Sequence, residues 1–99
     1  MGIKADVKDE LVTISIDGSF DVSAYETFKD ICQKNLTDTN RFIIDMQKTS
    51  YMDSSALGML LLLREKTAGD KRRITLVNVG GNVQSILEIA QFQKLFVIK

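Results

Sequence analysis

The chain has 99 residues, of which 44% are apolar and 26% are charged. This length and composition predict one soluble globular domain over residues 1–99, because a second independent core would need more residues. Thirteen lysines and arginines balance thirteen aspartates and glutamates. With no net charge to attract phosphates, we expect no direct contact with nucleic acid and none with a membrane.

The sequence contains no histidine and a single cysteine, Cys32. The absence of histidine removes the commonest general base and the Ser-His-Asp and Cys-His arrangements that activate nucleophiles. It also removes most zinc sites, so we expect no catalytic residues, no metal and no cofactor. One cysteine cannot form an internal disulfide, and no segment has the pattern of a signal peptide or a spanning helix, which predicts a cytoplasmic protein.

The predicted elements begin with a β-hairpin and continue as alternating helices and strands. Residues 3–7 and 11–16 are rich in strand formers, and the second run alternates apolar and polar side chains, as a half-buried strand does. Ser23 and Glu26 form a predicted capping box for a helix with apolar spacing from Tyr25 to Leu36. The later elements are strands over 41–46, 73–79 and 95–98, a helix over 54–68 that ends before Gly69, and a helix over 83–90 capped by Asn82.

This order of elements predicts a single small α/β domain with a mixed, largely parallel sheet and helices packed on it. The continuous apolar run Phe42-Ile43-Ile44 is typical of a strand covered on both faces. In sheets of this kind, ligand and modification sites gather beyond the carboxyl ends of the strands. We therefore expect the functional residues in the loops 17–22, 47–54 and 80–82.

The most informative segment begins at Asp53. Ser54 stands at the predicted start of a helix, where backbone N–H groups and the positive end of the helix dipole favour a phosphate on an exposed hydroxyl. The alternative is that Asp53 or Ser54 only caps the helix. Asp21 likewise is either a loop or cap residue or a contact for a partner or a nucleotide. The residues alone leave these interpretations open.

The helix over 54–68 has more apolar residues than one inward face can hide. Its predicted inner face consists of Leu57, Leu60 and Leu61. Three further apolar residues lie beyond that face: Met59, Leu62 and Leu63. Either the contact with the core is wide, or some of these side chains form a partner surface continuous with Ser54.

Two motifs carry a family resemblance. The first is Asp-Ser-Ser-Ala-Leu-Gly at residues 53–58, entering a leucine-rich helix, and the second is Gly-Ser-Phe-Asp at 18–21 followed by Glu-Thr at 26–27. With the closing segment 92–98, they make most of the chain similar to the bacterial anti-sigma factor antagonists, which are STAS-domain proteins. The resemblance identifies Ser54 as a serine phosphorylated by a partner that is both anti-sigma factor and serine kinase, and dephosphorylated by a PP2C-type phosphatase.

The resemblance implies a switch that acts by binding and is not an enzyme. The unphosphorylated form binds the kinase and frees its sigma factor or other captive target. The predicted partner-binding residues around Ser54 are Asp21, Asp53, Ser55, Ala56, Met59 and Leu62. Two alternatives stay open: a STAS scaffold or subunit of a transport or signalling assembly that is not phosphorylated, and a small enzyme that uses Asp21, Asp45 or Asp53.

Overall fold

The computed structural model describes residues 2–99, in which six strands form one sheet and three α-helices pack against it. The strands are β1 (Gly2–Lys8), β2 (Leu11–Phe20), β3 (Arg41–Asp45), β4 (Thr49–Met52), β5 (Ile74–Val77) and β6 (Val97–Ile98). The helices are α1 (Tyr25–Lys34), α2 (Ser54–Lys66) and α3 (Gly81–Ile89). The predicted fold class is confirmed. Within residues 2–99, no helix is long and apolar enough to cross a lipid bilayer.

The sheet has the strand order β1-β2-β3-β5-β6, and only the β1–β2 pair is antiparallel. β2 is long enough to pair with two parallel neighbours along its length. Residues 11–15 pair with β3, and residues 18–20 pair with β4 after a change of register between Gly18 and Ser19. Gly18 has a φ of 91°, a conformation that glycine adopts without strain. The change of register therefore falls beside a residue whose backbone tolerates it.

The core lies on one face of the sheet. The row of paired residues Ile14, Ile44 and Leu76 is fully buried under the helices. On the opposite face, the row Thr13, Ile43 and Thr75 is only half-buried. The expectation that both faces of β3 are covered is therefore wrong, because Ile43 lies between two threonines on the face that the helices leave open.

Two predicted helix caps are wrong. Asp21, instead of Ser23, caps the start of the first helical segment, since its carboxylate accepts a hydrogen bond of 3.0 Å from the Ser23 backbone N–H. A short 3₁₀ turn at Val22–Ala24 then leads into α1 without a capping box. At α3 the cap position belongs to Gly80, whose extended backbone precedes the helix, and Asn82 lies inside the helix.

The end of α2 is close to the prediction. The helix stops at Lys66, and Gly69 has the expected positive φ, at +67°. The Gly69 N–H donates to the Arg64 carbonyl at 2.9 Å, which satisfies an acceptor in the last turn. The hydroxyl of Thr67, a buried residue, donates to the carbonyls of Leu63 and Arg64, so a polar group in the core is also satisfied.

Candidate functional site

The pairing of β2 with β4 brings two of the predicted loops together. Phe20 and Met52 are partners in the parallel register, and the Asp53 N–H donates to the Phe20 carbonyl at 3.3 Å. Asp21 and Asp53 are therefore side by side, each directly after the end of its strand. The third predicted loop, 80–82, is the beginning of α3, which packs against β4.

Asp53 is the N-cap of α2. Its backbone is extended, and its carboxylate accepts a hydrogen bond of 3.0 Å from the Ala56 N–H, while its carbonyl accepts one of 3.3 Å from the Leu57 N–H. This geometry places Ser54 at the first position of the helix. The capping interpretation thus holds for Asp53, and it leaves the exposed Ser54 side chain available.

Exposure falls quickly along the first turn of α2. Ser54 is exposed and Ser55 is half-buried, whereas Ala56 is 0% exposed. The expectation that Ala56 contacts a partner is wrong, because its methyl group belongs to the core.

The leucine-rich part of α2 differs from the prediction at two positions. Met59 is only 4% exposed, so it is not on the partner surface, whereas Leu61 is 42% exposed and not on the inner face. The buried positions of α2 follow the spacing of one helical face: Ala56, Met59, Leu60 and Leu63. Met59 is covered because this face meets α1 as well as the sheet, and it lines a small hollow between α1 and α2 with Phe28 and Cys32.

Leu62 is 38% exposed, as expected for a partner surface. Three other exposed apolar side chains lie within a few residues of Asp21, Asp53 or Leu62, and none of them was predicted to lie on a partner surface. Val22 directly follows Asp21, Tyr51 lies in β4 shortly before Asp53, and Leu61 lies beside Leu62. Tyr51 was missed because 49–52 was not recognised as a strand. Once it is, the burial of Met52 requires that its neighbour face outward.

A hollow of about 380 Å³ lies away from Ser54. Residues of β1, β2, the end of β3 and the turn after it line this hollow, among them Lys4, Asp17, Asp45 and Lys48. Asp45 is one of the aspartates of the enzyme alternative, and Asp17 and Lys48 fall in two of the predicted loops. Within residues 2–99, no group of three or more aspartates, glutamates or cysteines is arranged to hold a metal ion.

A family model of the STAS domain matches residues 2–99. The STAS-domain containing protein PA14_20770 of Pseudomonas aeruginosa (strain UCBPP-PA14) is 41% identical over 87 residues, which cover 88% of this chain and 86% of that protein. The chain belongs to the STAS domain family. The resemblance inferred from the motifs at 18–21 and 53–58 is thus confirmed at the level of the family.

Solved structures agree with this assignment. The anti-sigma factor antagonist SpoIIAA in its unphosphorylated form superposes with a TM-score of 0.78 at 21% identity, over 99% of this chain and 87% of that chain. The Bacillus cell fate determinant SpoIIAA in its phosphorylated form gives a TM-score of 0.75 at 19% identity, over 99% of this chain and 91% of that chain. A sulfate transporter family protein from Wolinella succinogenes gives 0.72 at 16% identity, over 94% and 80%. At these identities the likeness establishes a shared fold.

Proposed function

We propose that this chain is an anti-anti-sigma factor that is switched off by phosphorylation of Ser54. When unphosphorylated, it binds an anti-sigma factor with serine kinase activity in the cytoplasm, and that partner then releases its sigma factor or other target. A PP2C-type phosphatase restores the binding form. The observation that carries the proposal is an exposed serine at the first position of α2, next to its capping residue Asp53 and beside Asp21.

Phosphorylation would act through charge. A phosphate on Ser54 adds about −1.5 to −2 charges next to Asp53 and near Asp21. When a partner covers this surface, water no longer screens these negative groups, and juxtaposed like charges cost several kcal/mol. Since each ~1.4 kcal/mol is tenfold in affinity, binding falls by orders of magnitude.

The chain itself supplies only the acceptor. In the transfer, the Ser54 Oγ attacks the γ-phosphorus of ATP, the bond to the ADP oxygen breaks, and the hydroxyl proton passes to a base. The kinase supplies ATP, magnesium and that base, while this chain holds the serine at a fixed helix position. The proposed role is therefore that of a kinase substrate and a binding switch, with no enzymatic activity, no cofactor and no contact with nucleic acid or a membrane.

A second candidate is an unphosphorylated STAS scaffold or subunit of a transport or signalling assembly. The observation in its favour is that a sulfate transporter family protein shares this fold. In that role the surface around Ser54 would bind a partner permanently, and no kinase would recognise it.

Affinity capture from a native lysate of the source organism distinguishes the two. The baits are the wild type, Ser54→Ala, Ser54→Asp and, as a matched control, Ser85→Asp, which adds the same charge at an exposed serine of α3. We expect the wild type, Ser54→Ala and Ser85→Asp to retain a kinase that Ser54→Asp loses. With ATP, the captured kinase should phosphorylate Ser54 of the wild type, as mass spectrometry detects.

Phosphate on Ser55 or Ser50, or phosphate retained by Ser54→Ala, would refute the assignment of the acceptor. Equal retention of the kinase by Ser54→Asp would refute the charge mechanism. Capture of a membrane transporter by wild type and Ser54→Asp alike, with no kinase, would support the scaffold instead.

A further inference from the structure

Gly58 in the middle of α2 has no explanation within the chain. A glycine inside a helix lowers stability relative to alanine, because it loses more backbone freedom on folding. A Cβ built on Gly58 would meet no heavy atom within 4 Å outside its own helix and its chain neighbours, and the residue is exposed. It also does not have the positive φ that marks Gly69. Neither packing nor backbone conformation requires a glycine here.

The position of Gly58 relates it to the proposed phosphorylation site. It lies four residues after Ser54, so the two share a face of the helix and are separated by about 6 Å along its axis. Leu61 and Leu62, three and four residues further on, are exposed. The outer face of α2 therefore presents, in order, a serine, a gap without a side chain, and two apolar side chains.

The distance along the helix indicates what covers this gap. An enzyme that transfers a phosphate to the Ser54 hydroxyl must place its own atoms around that oxygen. A protein surface large enough to do so extends well beyond ~6 Å, so it also covers Gly58. At that point the absence of a side chain allows main-chain atoms of the partner to approach the helix backbone.

We propose that Gly58 is the close-approach point of the partner: a backbone segment of the kinase that modifies Ser54 lies directly against α2 at Gly58, with apolar side chains of that kinase on Leu61 and Leu62. The inference rests on the proposed function, and it adds a specificity-determining residue that does not itself receive the phosphate. A side chain at position 58 would hold the two backbones apart, so the penalty grows with its size.

The test is a size series, Gly58→Ala and Gly58→Leu, with Ser85→Ala as a control at an exposed position of α3. Binding to the kinase captured by the wild type is measured by calorimetry, and phosphorylation of Ser54 is measured by mass spectrometry. We expect Gly58→Ala to weaken binding roughly tenfold, and Gly58→Leu to weaken it further. Ser85→Ala should bind and be phosphorylated as the wild type is.

Thermal unfolding provides the readout that separates a lost contact from a damaged fold. Gly58→Ala should melt about 4–8 °C higher than the wild type, since alanine is the better helix residue and meets no obstruction. The proposal is overturned if both Gly58 variants bind the kinase as tightly as the wild type does. It is also overturned if Gly58→Leu changes the oligomeric state of the chain and leaves kinase affinity intact, because the face would then contact a second copy. A wild type that binds no kinase would refute the proposed function itself.

Discussion

Asp53 determines how a phosphate on Ser54 would be held. Because the Asp53 carboxylate already accepts the Ala56 N–H, and the Leu57 N–H donates to the Asp53 carbonyl, neither amide is open to a phosphate. The first-turn amides that remain for it are those of Ser54 and Ser55. The sequence predicted a helix N-terminus at this place, but it did not reveal that the cap and the phosphate would compete for the same donor. A phosphate at this position would therefore stay near the surface.

Cys32 gives a prediction about pH. It lies on the buried face of α1, and burial raises the pKa of its thiol from 9.0 to about 12. In the unfolded chain the thiol ionises near pH 9, whereas in the folded chain it stays protonated until about pH 12. Its contribution to stability is therefore complete below pH 9 and declines as the pH rises from 9 towards 12.

Urea unfolding at a series of pH values, for the wild type and Cys32→Ala, measures this contribution. The free energy of unfolding should fall more steeply above pH 9 in the wild type, because only the wild type carries the thiol. The comparison removes the pH effects that the two proteins share. Identical pH dependence of the two proteins would contradict the assignment, as would rapid reaction of the folded thiol with an alkylating reagent at pH 8.

At the scale of the element, two adjacent leucines of α2 should differ in how much they contribute to the free energy of unfolding. Leu60 is fully buried, so Leu60→Ala should lower the free energy of unfolding by about 2–5 kcal/mol. Leu61 is largely outside the core, so Leu61→Ala should lower it by less than about 1 kcal/mol while weakening the binding of a partner to the outer face. Urea melts measure both values, and equal losses would show that the assigned faces of the helix are wrong.

The extent of α2 was predictable from its strong helix formers, its serines and Gly69, whereas its orientation was not. In a run of leucines, more than one face of the helix is apolar enough to be buried. Whether Met59 or Leu61 is buried therefore depends on where α1 packs. β4 was unpredictable for a related reason: Thr49-Ser50-Tyr51-Met52 has no clear alternation and becomes a strand because the extended end of β2 offers it a partner. The pairing of Phe20 with Met52 joins two segments that are far apart in the sequence, so the sequence of either segment alone does not predict it.

At the scale of the whole molecule, we expect phosphorylation of Ser54 to leave the fold unchanged. The helix dipole favours the added charge by about 0.3–1 kcal/mol at an exposed site, and Ser54 makes no contribution to the core. The modified chain should therefore melt at an equal or higher temperature than the unmodified one. Its amide spectrum should change only around Ser54, Asp21 and Gly80, yet it should bind the kinase far more weakly. A clearly lower melting temperature, or shifts spread through the sheet, would require a conformational mechanism instead.

The central position of β2 also bears on how the chain folds. Its antiparallel partner β1 is joined to it by a tight turn at residues 9–10, so this hairpin closes a very short loop and can form in about 1–10 μs. The pairs with β3 and β4 must first close the segment 21–40, which carries α1, and this costs more chain entropy. We therefore expect the β1–β2 hairpin to form first and the later strands to pair with it. We expect the β4 contact that positions Ser54 to form later, so that a newly made chain acquires the surface around Ser54 only after its first long-range strand pairing.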